Sequence, residues 1–520
     1  MTARKARRTR SRQRANRLVL AVLVLLALAG LYGLAGIKRA VLLTAGGPAG
    51  PAGRLTVSSA LVACPAPGTA GVTGGGIAQV SAPARTSTGQ VALTLLKPAA
   101  APQSPAAVSI SAPPGQLTVR SVRNAAAVPK KLAAMTSMAH GLVPTSRAKG
   151  GLIISATGSN AQGFDVEQLS PAGLPVARCQ APGSDFWFVG PETTSTRTEL
   201  YLINADSTSA DAHVGVQTDS GPRLGAQDSG IIVPPYSMVV QSLDKLVRSA
   251  KAAAFHVTTS TGRVVAAIRM TGSAGKAGAW LPVAQEPATT QVLTGLPATA
   301  GTRELYITVP GSAAARIKVT AVTTRGSYQP TEPSGGSGIS VLGRLTTGIL
   351  IPSLSGNPGS IRISSNVPVT GVLEVSGGPP GAPGAFIGGA DPITEQGVIA
   401  ASPVGSAGKT QLVLSAPGRA AKVRISEAVA GAPLTGQAGQ QVDIAARSAT
   451  KVKIGLPKNA GRGVKLVAIL VTPLPGSGPV YAARLANVGG TLQTALPFVS
   501  SPTVIDLPEV RQSLASVLGH

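Results

Sequence analysis

The sequence predicts an all-β protein: tandem immunoglobulin-like antiparallel β-sandwich modules after one N-terminal transmembrane helix. Three observations carry this. Apolar and β-branched residues alternate with polar ones in runs such as His213–Thr218 and Arg316–Val322, the period-two signature of a strand with one buried face. Turn residues recur every 8–12 positions or so, as packed antiparallel sheets require. The chain also repeats itself at roughly 105 residues. "TELYLINADSTSADAHVGVQT" from Thr198 returns as "RELYITVPGSAAARIKVTAVT" from Arg303 and as "TQLVLSAPGRAAKVRISEAVA" from Thr410. A β-propeller is the alternative architecture, but a blade of about 40–50 residues is only half this repeat.

The elements follow in order. Residues 1–17 are a basic segment without a single acid, and 18–37, "LVLAVLVLLALAGLYGLAGI", carry no charge. As a helix that run spans about 30 Å, the thickness of a bilayer core. The basic flank ahead of it predicts a cytoplasmic N-terminus, with the bulk of a single-pass cell-membrane protein extracytoplasmic. A cleaved signal peptide is the competing reading, disfavoured because its apolar core usually runs about 7–15 residues. Residues 38–53 read as a flexible Gly/Pro/Ala stalk, and 54–190 as a diverged N-terminal β region. Regular modules occupy 191–290, 291–400 and 401–520. The last closes on a short helix, where Asp506 and Glu509 stand at capping-box spacing.

Composition narrows the partners. The formal net charge is +26, and no acid occurs before Asp165, a balance that favours polyanions such as lipid head groups or cell-wall polymers. Nucleic acid is not expected, because aromatics are 3% of the chain and are not interleaved with basic residues as a stacking surface needs.

Two cysteines, Cys64 and Cys179, lie beyond the anchor. In an oxidising compartment a lone pair of thiols favours a disulfide over two buried thiols or a reactive one. The bond is expected to staple the N-terminal region to the modular array. No metal site is expected, since the four histidines, at 140, 213, 256 and 520, have no ligand spacing.

Catalytic motifs are missing. The chain has no G-x-S-x-G and no H-E-x-x-H, and "GKT" at 408–410 lacks the upstream glycine of a phosphate loop. Asp165 with Glu167, and Glu192 with Glu199, are the nearest things to a carboxylate pair, but solvated strand carboxylates are the better explanation, since nothing else marks a sugar cleft. Trp187, in "SDFWF", and Trp280, in "GAWLPV", are candidate ligand-contact aromatics, although an aromatic beside a disulfide is more often a core residue. Phe186 and Phe188 are expected to face one way and Trp187 the other. Neither a catalytic residue nor a cofactor is expected.

The combination of "VSSALVACPAP", "ARCQAPGSDFWFVG", "ELYLINADSTSADAHVGV" and "LPFVSSPTVIDLP" resembles a family of actinobacterial membrane-anchored secreted proteins defined only as a domain of unknown function. The resemblance implies an envelope-located β protein and assigns no catalytic residue. The expected function is a non-enzymatic, membrane-anchored extracytoplasmic protein that binds cell-wall polymer or scaffolds an envelope assembly. The alternatives are a carbohydrate-active enzyme or accessory subunit of a membrane glycosyltransferase complex, and a secretion or assembly chaperone.

Overall fold

In the computed structural model the alternating runs become strands, and the strands assemble into four two-sheet modules. The structure describes residues 54–65, 90–94, 116–122, 130–135, 141–144, 151–161, 163–169, 175–191, 196–223, 230–272, 279–298, 301–330, 338–351, 356–376, 385–429, 439–457, 460, 464–488, 491–501 and 504–506. The basic segment, the anchor at 18–37, the stalk at 38–53, Glu192 and the helix expected at the C-terminus lie outside these residues. Among the described residues no helix is long and apolar enough to cross a membrane.

The second module displays the pattern. Its eight principal strands are Asp185–Pro191, Thr196–Ile203, Ala210–Thr218, Ile231–Val233, Met238–Ser242, Ala252–Thr261, Val265–Gly272 and Ala279–Leu281. The first, sixth, third and fourth form one sheet, and the fifth, second, seventh and eighth form the other. Phe186, Phe188, Leu200, Leu202, Phe255 and Val257 fill the space between them. The hairpin after the third strand is a Thr-x-x-Gly turn in which Thr218 Oγ1 donates to the Gly221 carbonyl at 2.9 Å. Gly221 has φ 111°, a conformation that a Cβ would strain. The third module repeats the turn with Thr323 and Gly326, φ 104°.

The same order recurs in every module. The fourth, from Gly397–Pro403 to Thr491–Pro497, pairs its strands identically. In the third, Gly359–Ser376 is one continuous strand that serves as sixth strand in one sheet and seventh in the other. The first module, from Ser59–Cys64 to Pro175–Arg178, has the same two sheets, so the irregular N-terminal region is a full copy. Second-to-fifth and third-to-sixth pairing are those of an immunoglobulin sandwich. The first and seventh strands have exchanged sheets relative to that fold, in which the first joins the second and the seventh joins the sixth; here the fourth also joins the third, and an eighth strand is added outside the seventh.

The disulfide forms, and within the first module. Cys64 ends the first strand and Cys179 follows the eighth, so the bond does not join the N-terminal region to the next module. Beside it, Ala63 and Gln180 exchange backbone hydrogen bonds at 2.8 and 3.1 Å. The other modules close in the same place without sulfur, through Ala284 N to Trp187 O at 2.7 Å, Ala390 N to Val292 O at 2.9 Å, and pairing of Val398 with Val499. The disulfide is thus a covalent version of a closure that recurs in each copy.

Thr56–Thr503 form one compact body, in which each module packs its first-strand sheet onto the second-strand sheet of the next. Ala63, Val122 and Ile153 of the first meet Tyr201, Ile203 and Met238 of the second. Trp187, Val189 and Ala254 of the second meet Tyr306 and Val372 of the third. The third meets Val413, Leu485 and Ala495 of the fourth. The first strand of the fourth module, in turn, lies against the second and seventh strands of the first module, and the four close into a ring. Each copy is a two-sheet sandwich and not a single-sheet blade. Separately, Arg54–Thr56 pairs with Val504–Asp506 in a two-stranded sheet.

Candidate functional site

Charge is concentrated where the ring closes. Asp165 and Glu167 alternate along Asp165–Leu169 and therefore share a face, and that face looks at the fourth module. Asp165 Oδ1 accepts from Arg178 Nε at 2.8 Å and Oδ2 from Ala400 N at 2.9 Å. Glu167 Oε2 accepts from Arg484 Nη1 at 2.7 Å and Oε1 from Ala401 N at 3.0 Å. The two amides are free because the first strand of the fourth module bulges between Ile399 and Ser402, leaving Ala400 and Ala401 out of the ladder. Arg178 also donates to Pro497 O at 2.6 Å and Val398 O at 3.2 Å; Arg484 donates to Ala401 O and to Thr494 Oγ1 at 3.2 Å.

Glu167 and Arg484 are 0% and 1% exposed. Burial pushes the Glu167 carboxyl up from its ordinary value, and the Arg484 charge pulls against it. Each carboxylate oxygen of the pair has a donor, and each carboxylate faces a guanidinium. The arrangement is a clasp: it neutralises and holds, and it presents no acid or base to solvent.

The aromatic candidates lie in two other seams. Trp187 points opposite to Phe186 and Phe188. Its ring stacks on His256 with centroids 3.9 Å apart, and His256 Nε2 contacts Asp185 Oδ2 at 3.0 Å. The third module encloses it, and Trp187 is 7% exposed. Trp280 lies in the first seam, edge-on to Tyr201 at 5.2 Å with Arg269 6.0 Å from its ring centre. Glu199 accepts from Tyr201 at 3.0 Å and stands opposite Arg269 across the strands.

The third module repeats this group with one reversal of charge. Glu304, Tyr306 and Phe386 stand where Glu199, Tyr201 and Trp280 stand, but Glu374 replaces Arg269 and lies directly opposite Glu304. Tyr306 donates to Glu374 Oε2 at 3.3 Å. Burial, with the Glu304 charge behind it, raises Glu374, and burial beside both carboxylates raises the Tyr306 phenol. The repeated "ELY" was the available signal; its cross-strand partner could not be read without register.

His213 Nε2 lies 3.3 Å from Ser260 Oγ and 3.9 Å from Asp211 Oδ2. Both partners use the same nitrogen, whereas a nucleophile relay needs the two nitrogens for different partners. Among the described residues no group of three or more His, Cys, Asp or Glu is placed to hold a metal.

A family model described as a family of unknown function, DUF5719, matches residues 132–455, from the fourth strand of the first module to just past the fifth strand of the fourth. No curated protein matches the chain.

Proposed function

The chain belongs to the DUF5719 family, and from that footing we propose that it is a non-enzymatic, membrane-anchored extracytoplasmic scaffold whose rigid ring binds an anionic cell-wall polymer. The observation that carries the reading is the clasp. Asp165 and Glu167, the carboxylate pair best spaced for chemistry, are consumed in fastening the last module to the first. The disulfide supports the location, because such bonds persist in oxidising compartments. The apolar run at 18–37 supports the anchor, and the net charge of +26 supports a polyanionic partner. Retention of the purified protein on isolated cell wall, followed as salt rises, tests it. The reading expects retention that falls steeply with salt; no retention at low salt counts against polymer binding.

One pair favours the carbohydrate-active alternative. Glu304 and Glu374 oppose each other, with Glu374 the raised partner, as an acid and a nucleophile would. Trp187, the aromatic that would stack on a sugar, is covered by His256 on one face, which puts this reading second. Hydrolysis of wall glycans that Glu374→Gln abolishes would restore it to first.

A further inference from the structure

We infer that the outward faces flanking the seam between the third and fourth modules form the polyanion-binding surface, a deepening that rests on the polymer-binding reading above. On the third module, Arg316 and Lys318 lie along the third strand, and Arg362 stands beside them because it pairs with Thr320. Alternation turns all three away from Ile317, Val319, Ile361 and Ile363, which face the core. On the fourth, Lys451 and Lys453 share a face with Val413 and Gln411, their cross-strand partners, while Val452 and Ile454 face the core. These five cations are exposed.

The two faces are brought together at one end. Ser448 Oγ donates to Thr323 O at 3.2 Å, and Ser327 Oγ donates to Arg447 O at 2.8 Å. Those contacts place the Arg325 turn of one module against the Arg447 turn of the other, so the cationic strips begin from a common corner. Along each strand the cations repeat about every 7 Å, two residues apart.

Neither strip carries its own counter-charge. Among the described residues no ion pair engages these five side chains, whereas Glu167 has Arg484, Asp165 has Arg178 and Asp206 has Arg263. Neither outward face contributes a carboxylate from its paired strands. Asp391, which acts on Tyr481 at this seam, already accepts from Gln285 Nε2 at 2.7 Å. At the seam before it the charge is reversed, with Asp185, Glu304 and Glu374. Arg362 also lies near enough to Tyr481 to act on its phenol, but a neutral phenol leaves its charge uncompensated. Extended cationic strips with no ion pair of their own fit a linear polymer bearing phosphate or carboxylate charges, and the partner is of that class.

The test is titration of the full chain, in zwitterionic detergent, with linear polyphosphate, polygalacturonate and neutral dextran. One variant replaces Arg316, Lys318, Arg362, Lys451 and Lys453 by Gln. A control replaces the same number of exposed cations elsewhere, Arg120, Arg223, Lys245, Arg248 and Lys251, by Gln. Equal thermal stability of the two variants establishes that both fold. We expect the seam variant to bind at least about tenfold more weakly at low salt, with the slope of log K against log salt reduced by about three to four. The control is expected to stay near wild type, and dextran to bind none of them. The two polyanions separate phosphate from carboxylate as the charge recognised. Equal weakening in both variants overturns this surface and leaves the polymer reading standing. A wild type that binds neither polyanion overturns both.

Discussion

Arg484 and Glu167 meet at 2.7 Å across 317 residues of sequence, and their contact fastens the fourth module to the first. The three other seams join modules that are consecutive in the chain. This one joins the two ends of the array, and it is closed by a buried, hydrogen-bonded ion pair.

Removing a single partner of the clasp is therefore costly. Glu167→Ala leaves Arg484 buried without its counter-charge and should destabilise the body by about 3–5 kcal/mol. Replacing both, as Glu167→Leu with Arg484→Met, should recover most of that loss, because the apolar pair avoids desolvating two ions. Urea denaturation of the two variants checks the difference.

Reduction should be felt mainly in the first module. The Cys64–Cys179 bond closes a loop of 115 residues, which in the chain-entropy model stabilises by about 4–5 kcal/mol. With Cys64→Ser and Cys179→Ser, amide exchange should accelerate in Ser59–Cys64 and Gly151–Thr157 and change little in the third module, which closes through backbone hydrogen bonds.

Glu374 gives the second seam a pH dependence of known sign. Its carboxyl is raised in the folded state by burial, with the Glu304 charge adding to it. At this site the folded protein then binds more protons than the unfolded one, so the contribution of Glu374 to stability is fully present below the ordinary glutamate value of 4.5 and is lost as pH rises through the raised value. Glu374→Gln, which mimics the protonated side chain, should raise Tm at neutral pH and flatten this part of the profile. Thermal melts from pH 4 to 8 measure it.

Trp187→Ala should cost about 3–5 kcal/mol, since the ring is packed among Val189, Ala254, Tyr306 and Val372. A purely exposed ligand platform would lose binding with almost no change in stability, so the same variant separates the two roles.

Much of this was legible in the chain, and the reasons for the rest are physical. Leu200, Leu305 and Leu412 mark the second strand of three modules because their local alternation survives. The first module hides its kinship: long Ala/Pro/Gly connections separate Cys64 from Gln90 and Thr94 from Gln116, which destroys the spacing while the pairing order persists. Asp185–Pro191 reads as the end of the N-terminal region, yet it pairs with Ala252–Thr261 as a first strand. Ring closure had no local signal. Glu167 and Arg484 each look like an ordinary strand charge, and only the arginine set among Ala482, Ala483, Leu485 and Ala486 hinted at a buried partner.

The most direct test of the ring is small-angle X-ray scattering on the segment 54–506. A closed body of this length should give a radius of gyration of about 22 Å by the scaling of compact chains. A string of four sandwiches, opened where Arg484 meets Glu167, should give roughly twice that, and such a value in the wild-type protein would contradict the account.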